Sequence, residues 1–131
     1  MENSTIQYIN PNPVGYSDAV SVTGGRTIYI SGQVALDHEG RVVAKGDLRG
    51  QTIQVFENLK KVLSHAGAEF HDVVKVNIYL VNCTPENVAI VRHERRHYLS
   101  MDNPPASTLV GVTSLVDPEF LIEIEVVAVV N

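Results

Sequence analysis

Tryptophan is absent and cysteine occurs once, at Cys83. A lone thiol closes no internal disulfide, which excludes a disulfide scaffold and fits a reducing, cytoplasmic setting. No stretch approaches the ~20 apolar residues of a membrane-spanning helix. The opening Met1-Glu2-Asn3-Ser4 has neither a basic region nor an apolar signal core. Positive charge is also scarce, and the formal net charge is −5. That balance argues against a nucleic-acid surface, which works by neutralising phosphates. The densest basic run, Arg92 with Arg95 and Arg96, is interleaved with His93 and His97 and has no aromatic platform beside it. It reads as a solvated helix face.

What the sequence does hold is enough apolar material for a core. Hydrophobic residues make up 44% and charged residues 19% of 131 positions, as expected for one globular domain spanning residues 1–131. Asn10-Pro11-Asn12-Pro13 marks a turn-prone start. Residues 17–22 and 27–30 are extended runs around Thr23-Gly24-Gly25-Arg26, the pattern of a β-hairpin. A helix is predicted over 48–66, with Asp47 as N-cap, Gly67 as stop, and Ile53, Phe56, Leu59, Leu63 and Ala66 on its inner stripe. Residues 73–81 form a strand. Thr84-Pro85 starts a second helix, predicted to reach Leu99. Two helices cover one face of a mixed sheet, yet several strands are apolar on both faces. The uncovered face points to an oligomer.

The last third carries the chemistry. Residues 104–113 and 120–130 are β-rich runs around Asp117-Pro118, which predicts a second hairpin. The second run is apolar except for Glu123 and Glu125. Side chains alternate along a strand, so the two carboxylates share one face. Acids in an apolar strand are expensive unless paired or hydrogen-bonded, which makes them the first functional candidates.

Three segments together resemble the RidA/YjgF family, also called the L-PSP endoribonuclease or enamine/imine deaminase family. They are Ile30-Ser31-Gly32-Gln33, the segment from Gly67 through Val76, and Pro105-Ala106 through Ile122-Glu123-Ile124-Glu125. The resemblance spans nearly the whole chain. It implies an α+β, chorismate-mutase-like fold: a six-stranded sheet backed by two helices, assembled as a homotrimer with three clefts between subunits. It implies hydrolysis of reactive imines or enamines to carbonyl products and ammonia, with no metal or organic cofactor. Glu123 matches the family's site glutamate, a general acid/base on the attacking water, with a pKa that burial would raise. Tyr16 matches the cleft tyrosine, and Ser31 and Gly32 match a serine-glycine pair at the cleft floor. Glu125 is read as a structural acid.

The sequence departs from the deaminase pattern at the start of the penultimate strand. Deaminase members read Pro-Ala-Arg where this chain reads Pro105-Ala106-Ser107. A neutral hydroxyl replaces a guanidinium, and a lost charge-assisted bond costs about 1.5–3 kcal/mol. Leu109 stands where the family has a cysteine. Arg92 falls where the family often has an asparagine, so it either supplies the missing cation or makes a surface salt bridge. His93 and His97 have a zinc-compatible spacing but read as solvated, and Cys83 reads as a buried or semi-buried thiol. Two functions stay open: a hydrolase of an imine, enamine or related metabolite, and a non-catalytic trimer that binds a metabolite or a protein. Endoribonuclease activity fits the acidic charge least well.

Overall fold

The computed structural model describes residues 3–131; the Met1-Glu2 part of the N-terminal reading lies outside them. Six strands form one mixed sheet: β1 (Thr5–Pro11), β2 (Ser17–Thr23), β3 (Arg26–Gln33), β4 (Val73–Val81), β5 (Ala106–Val112) and β6 (Ile122–Val130). Helix α1 (Leu48–His65) lies between β3 and β4, and α2 (Pro85–Arg95) between β4 and β5. Their order across the sheet is β1-β2-β5-β4-β6-β3. The predicted α+β architecture is therefore present. No helix among the described residues is long and apolar enough to cross a membrane.

Both predicted hairpins are wrong. β2 pairs with β1, while β3 pairs antiparallel with β6, so that β5, β4 and β6 stand between β2 and β3. β5 and β6 do not pair with each other; β4 lies between them, parallel to β5 and antiparallel to β6. The turn chemistry is real, since Gly24 and Gly25 have φ of 75° and 79°, but it carries the chain across the end of β6. A Cβ at Gly25 would lie 2.8 Å from the Val130 carbonyl oxygen. Local pattern marks a reversal and does not choose the partner. β6 offers β3 an apolar strand to close against, and that long-range burial decides. β1 lies in the segment read as turn-prone. It is an edge strand, where a terminal Pro11 sacrifices no interior ladder bond.

The core lies between one sheet face and the helices. Val76, Ile78 and Leu80 of β4 and Ile122, Ile124, Val126 and Ala128 of β6 are buried against Val55, Phe56, Leu59 and Leu63 of α1 and Val91 of α2. The inner stripe of α1 differs from the expectation: Ile53 is exposed, and Gln51 and Thr52 take the buried positions. Asp47 does cap α1, accepting from the Gly50 amide at 3.0 Å. Thr84 caps α2, accepting from the Asn87 amide at 3.2 Å. Beyond Arg95 the chain tightens into i→i−3 bonds at His97 and Tyr98. This turn lays Tyr98 flat on Phe56, ring centroids 4.7 Å apart.

Two buried or half-buried amides of α1 position the strands that matter below. Gln51 donates to the Glu119 carbonyl at 2.9 Å and accepts from the Leu121 amide at 2.8 Å, setting the start of β6. Asn58 donates to the carbonyls of Val34 and Leu36 at 3.0 and 2.9 Å, holding the segment after β3. The other sheet face is uncovered in a single chain. Lys75, Asn77, Tyr79, Glu123, Glu125 and Val127 are at most half-buried there, and Tyr29 is 80% exposed.

Candidate functional site

The face pattern of β6 separates its two acids by their partners. Ile122, Ile124 and Val126 point into the core, and Glu123 and Glu125 point to the open face. Glu125 is tied down: Asn77 donates to it at 3.1 Å, and the Tyr79 hydroxyl at 2.5 Å. That hydrogen bond, with burial, holds the Tyr79 phenol above its ordinary pKa. Glu123 has no hydrogen-bond or ion-pair partner among the described residues. It is half-buried rather than enclosed.

The place of Glu123 depends on a missing side chain. The β3–β6 register shifts between Ile30 and Gln33, so Ser31 and Gly32 form an irregularity at the sheet edge. A Cβ at position 32 would overlap the Glu123 carboxylate. Glycine leaves room for that approach and is not there for an unusual φ. The unpaired end of Glu123 can swing aside, so Gly32→Ala is expected to cost only about 0.5 kcal/mol of stability. It should displace the carboxylate and lower imine hydrolysis; urea unfolding and the keto-acid assay check both, and a stability loss above about 2 kcal/mol would mean that Glu123 cannot move. Ser31 is exposed beside these residues. It lines a concavity of about 300 Å³ on the open face with Tyr29, Lys75, Asn77 and Glu125.

A second group lies elsewhere. Tyr16, Arg92, Ser107 and Leu109 line a cavity of about 260 Å³ with Val14, Val88 and Arg95. The turn before β2 builds one wall. Asn12 Oδ1 accepts from the amides of Val14 and Gly15 at 3.0 and 3.1 Å, and Gly15 has a φ of 115° that favours glycine. Ser17 then anchors to the segment before β5, its amide to the Pro105 carbonyl at 3.0 Å and its hydroxyl to the Pro104 carbonyl at 2.7 Å. These bonds place Tyr16 beside Ser107.

The two groups do not meet within one chain. Ser107 pairs with Val76, whose side chain is on the helix side; Glu123 pairs with Tyr79 on the open side. The two groups thus sit on opposite sheet faces, with β4 between their strands.

Arg95 overturns the reading of the basic run as solvated. Val88, Val91, Arg95 and Leu99 recur at helical spacing, and Arg95 is 7% exposed. Its Nη1 donates to Ser107 Oγ at 3.0 Å and its Nη2 to the Gly15 carbonyl at 3.2 Å. Burial, reinforced by the Arg92 charge, lowers its pKa to about 10. Glu94 is buried as well, accepting from Arg49 at 2.7 Å. His93 lies 2.8 Å from the same carboxylate, and its hydrogen bond, aided by Arg49, holds Glu94 below its usual pKa. His93, Glu94 and His97 have ligand atoms within 4.8 Å of one another, but the Arg49 guanidinium already occupies that carboxylate. Cys83 is exposed, contrary to the buried or semi-buried thiol expected.

Comparison with known proteins places this architecture. A family model described as Endoribonuclease L-PSP matches residues 9–130. The chain belongs to the RidA/YjgF family. A RutC family protein of Pyrococcus abyssi is 38% identical over 119 residues, covering 90% of this chain and 89% of that one. The 2-iminobutanoate/2-iminopropanoate deaminase of Dermatophagoides farinae is 35% identical, covering 92% and 91%. A crystal structure of a Rid family protein of unknown function from Yersinia pestis superposes with a TM-score of 0.88 at 41% identity, covering 95% and 98%. Against this RidA/YjgF background, the sequence reading missed Arg95, Gln51 and Asn58. Arg95 had a signal in its helical spacing; the two amides had none, because their acceptors are distant backbone carbonyls.

Proposed function

We propose that this protein hydrolyses a small imine or enamine in a cleft completed between copies of the chain in a homotrimer. Glu123, Ser31 and Gly32 of one copy face Tyr16, Arg92, Ser107 and Leu109 of the next. The carrying observation is the unpartnered Glu123 carboxylate packed over Gly32, next to a Glu125 whose oxygen is already engaged. The split of the two groups across the sheet supports a site closed by a second copy, as does the uncovered face.

In this reading Glu123 accepts a proton from water as the water oxygen bonds to the imine carbon. The C=N π pair moves to nitrogen, giving a carbinolamine. Glu123 returns the proton to nitrogen; it then takes the hydroxyl proton of the carbinolamine and passes it to the same nitrogen, so that the C–N bond breaks and ammonia leaves as the carbonyl forms. An enamine first takes a proton at its β-carbon. Each proton transfer by a positioned group is worth about 10²–10⁴ in rate. Ser31 and the Gly32 amide supply neutral donors. The reading calls for no metal, organic cofactor or membrane, and the formal net charge of −5 favours it over the endoribonuclease reading, which needs a nucleic-acid surface.

A second reading has its own observation. Position 107 is a serine whose hydroxyl accepts from Arg95, so the deaminase arginine is absent, and a trimer that binds a metabolite or protein without turnover fits as well. The test generates 2-aminoacrylate and 2-aminocrotonate in situ and follows keto-acid formation with and without protein, while sedimentation reports the assembly state. Acceleration by a trimer is expected. A stable monomer would remove the hydrolase reading, and no acceleration by either wild type or Ser107→Arg would remove it for amino-acid-derived substrates with a single carboxylate.

A further inference from the structure

We propose that Arg95 and Arg92 form a subsite that selects a ligand carrying two negative charges, a phosphate monoester or a dicarboxylate. It rests on the reading of the Tyr16–Ser107 cavity as one wall of the ligand cleft.

A guanidinium removed from water is ordinarily matched by an acid. Arg95 is buried, yet among the described residues no acid forms an ion pair with it or with Arg92. Its two bonds go to neutral acceptors, Ser107 Oγ and the Gly15 carbonyl. They hold the planar fork in one orientation at the cavity wall. Arg92, one helical turn earlier and exposed, lines the same cavity. The two like charges are close enough for Arg92 to disfavour the charged form of Arg95. Among the described lysines and arginines without an ion pair, Arg95 is the buried one.

Ser107 makes the arrangement workable. A small hydroxyl accepts from Arg95, whereas an arginine at 107 would add a third guanidinium against two others. The cation of this cavity therefore comes from α2 instead of β5, and it comes twice. A single carboxylate would neutralise one charge and leave the repulsion partly unrelieved. A dianion neutralises both and offers the paired oxygens that guanidinium forks bind. Val14, Val88 and Leu109 complete an apolar wall, and about 260 Å³ admits only a small molecule.

Calorimetric titration of the full chain at low ionic strength and near-neutral pH with inorganic phosphate, malonate and acetate tests this. Phosphate or malonate is expected to bind at least about tenfold more tightly than acetate. The tighter of the two assigns the source as a phosphate ester or a dicarboxylate. Arg92→Gln, an exposed change that leaves the fold intact, should weaken that anion about 10- to 100-fold. Arg95→Lys keeps the charge but loses the fork, and should also weaken it. No anion binding, equal binding of acetate, or unchanged binding in both variants overturns the proposal. Anion affinity is measured without turnover, so the subsite is read independently of hydrolysis. Anion selection without hydrolysis of an imine that carries a second anionic group leaves the subsite standing and removes the hydrolase. Hydrolysis without anion selection does the reverse.

Discussion

Glu123→Gln is expected to lower imine hydrolysis by about 10²–10⁴-fold while leaving thermal unfolding almost unchanged. The rate effect follows from removing a proton acceptor that no neutral amide replaces. The indifference of stability follows from the surroundings. Glu123 has no partner among the described residues to strand, and glutamine preserves its volume beside Gly32. Changes free of a core, cap or network role usually stay within about 0.5 kcal/mol. Glu125→Gln should show the opposite profile. Its carboxylate accepts from Asn77 and Tyr79, so weakening those charge-assisted bonds costs about 1–3 kcal/mol and the rate changes less. Parallel melting curves and keto-acid assays on the two variants separate the roles. Equal rate losses at both positions would contradict the assignment of Glu123.

Phe56→Ala is expected to cost about 3–5 kcal/mol, the range for truncating a buried aromatic. Phe56 is fully buried in α1, stacked on Tyr98 at 4.7 Å and tilted against Phe70 at 6.1 Å. It joins the helix layer to the turn after α2. Tyr98 in turn donates to Glu57 at 2.9 Å, and burial together with that bond pushes its pKa up to about 12. The ring therefore supports an aromatic cluster that the remaining side chains cannot refill. Against a total of about 5–15 kcal/mol for a domain, the variant should unfold at much lower urea, with an unchanged m-value. Phe56→Leu should recover part of the loss. A loss under about 1 kcal/mol for the alanine variant would mean that the cavity collapses freely.

The site was legible in the sequence only where a residue's own strand or helix settles its direction. Alternation alone put Glu123 and Glu125 on one face. It did not say that Tyr79 and Asn77 of β4 would engage Glu125, since that depends on the β4–β6 register. Helical spacing was sufficient to bury Arg95, but the charge of the Arg92–Arg96 run obscured it. The hairpins failed for a related reason. Gly24-Gly25 and Asp117-Pro118 report that the chain turns, whereas a strand's partner is chosen by the apolar surface it closes against.

Residue order by itself determined the periodicities of both helices and of five of the six strands, the caps at Asp47 and Thr84, and which side chains share a face; it missed β1. These follow from interactions within a few residues, so short windows hold them. Tertiary structure alone decided the strand order β1-β2-β5-β4-β6-β3, the seating of Glu123 over Gly32, and the meeting of Arg95 with Ser107 and Gly15. Each joins residues distant in sequence, and each is set by burial of the shared core, a property of the whole sheet and both helices at once.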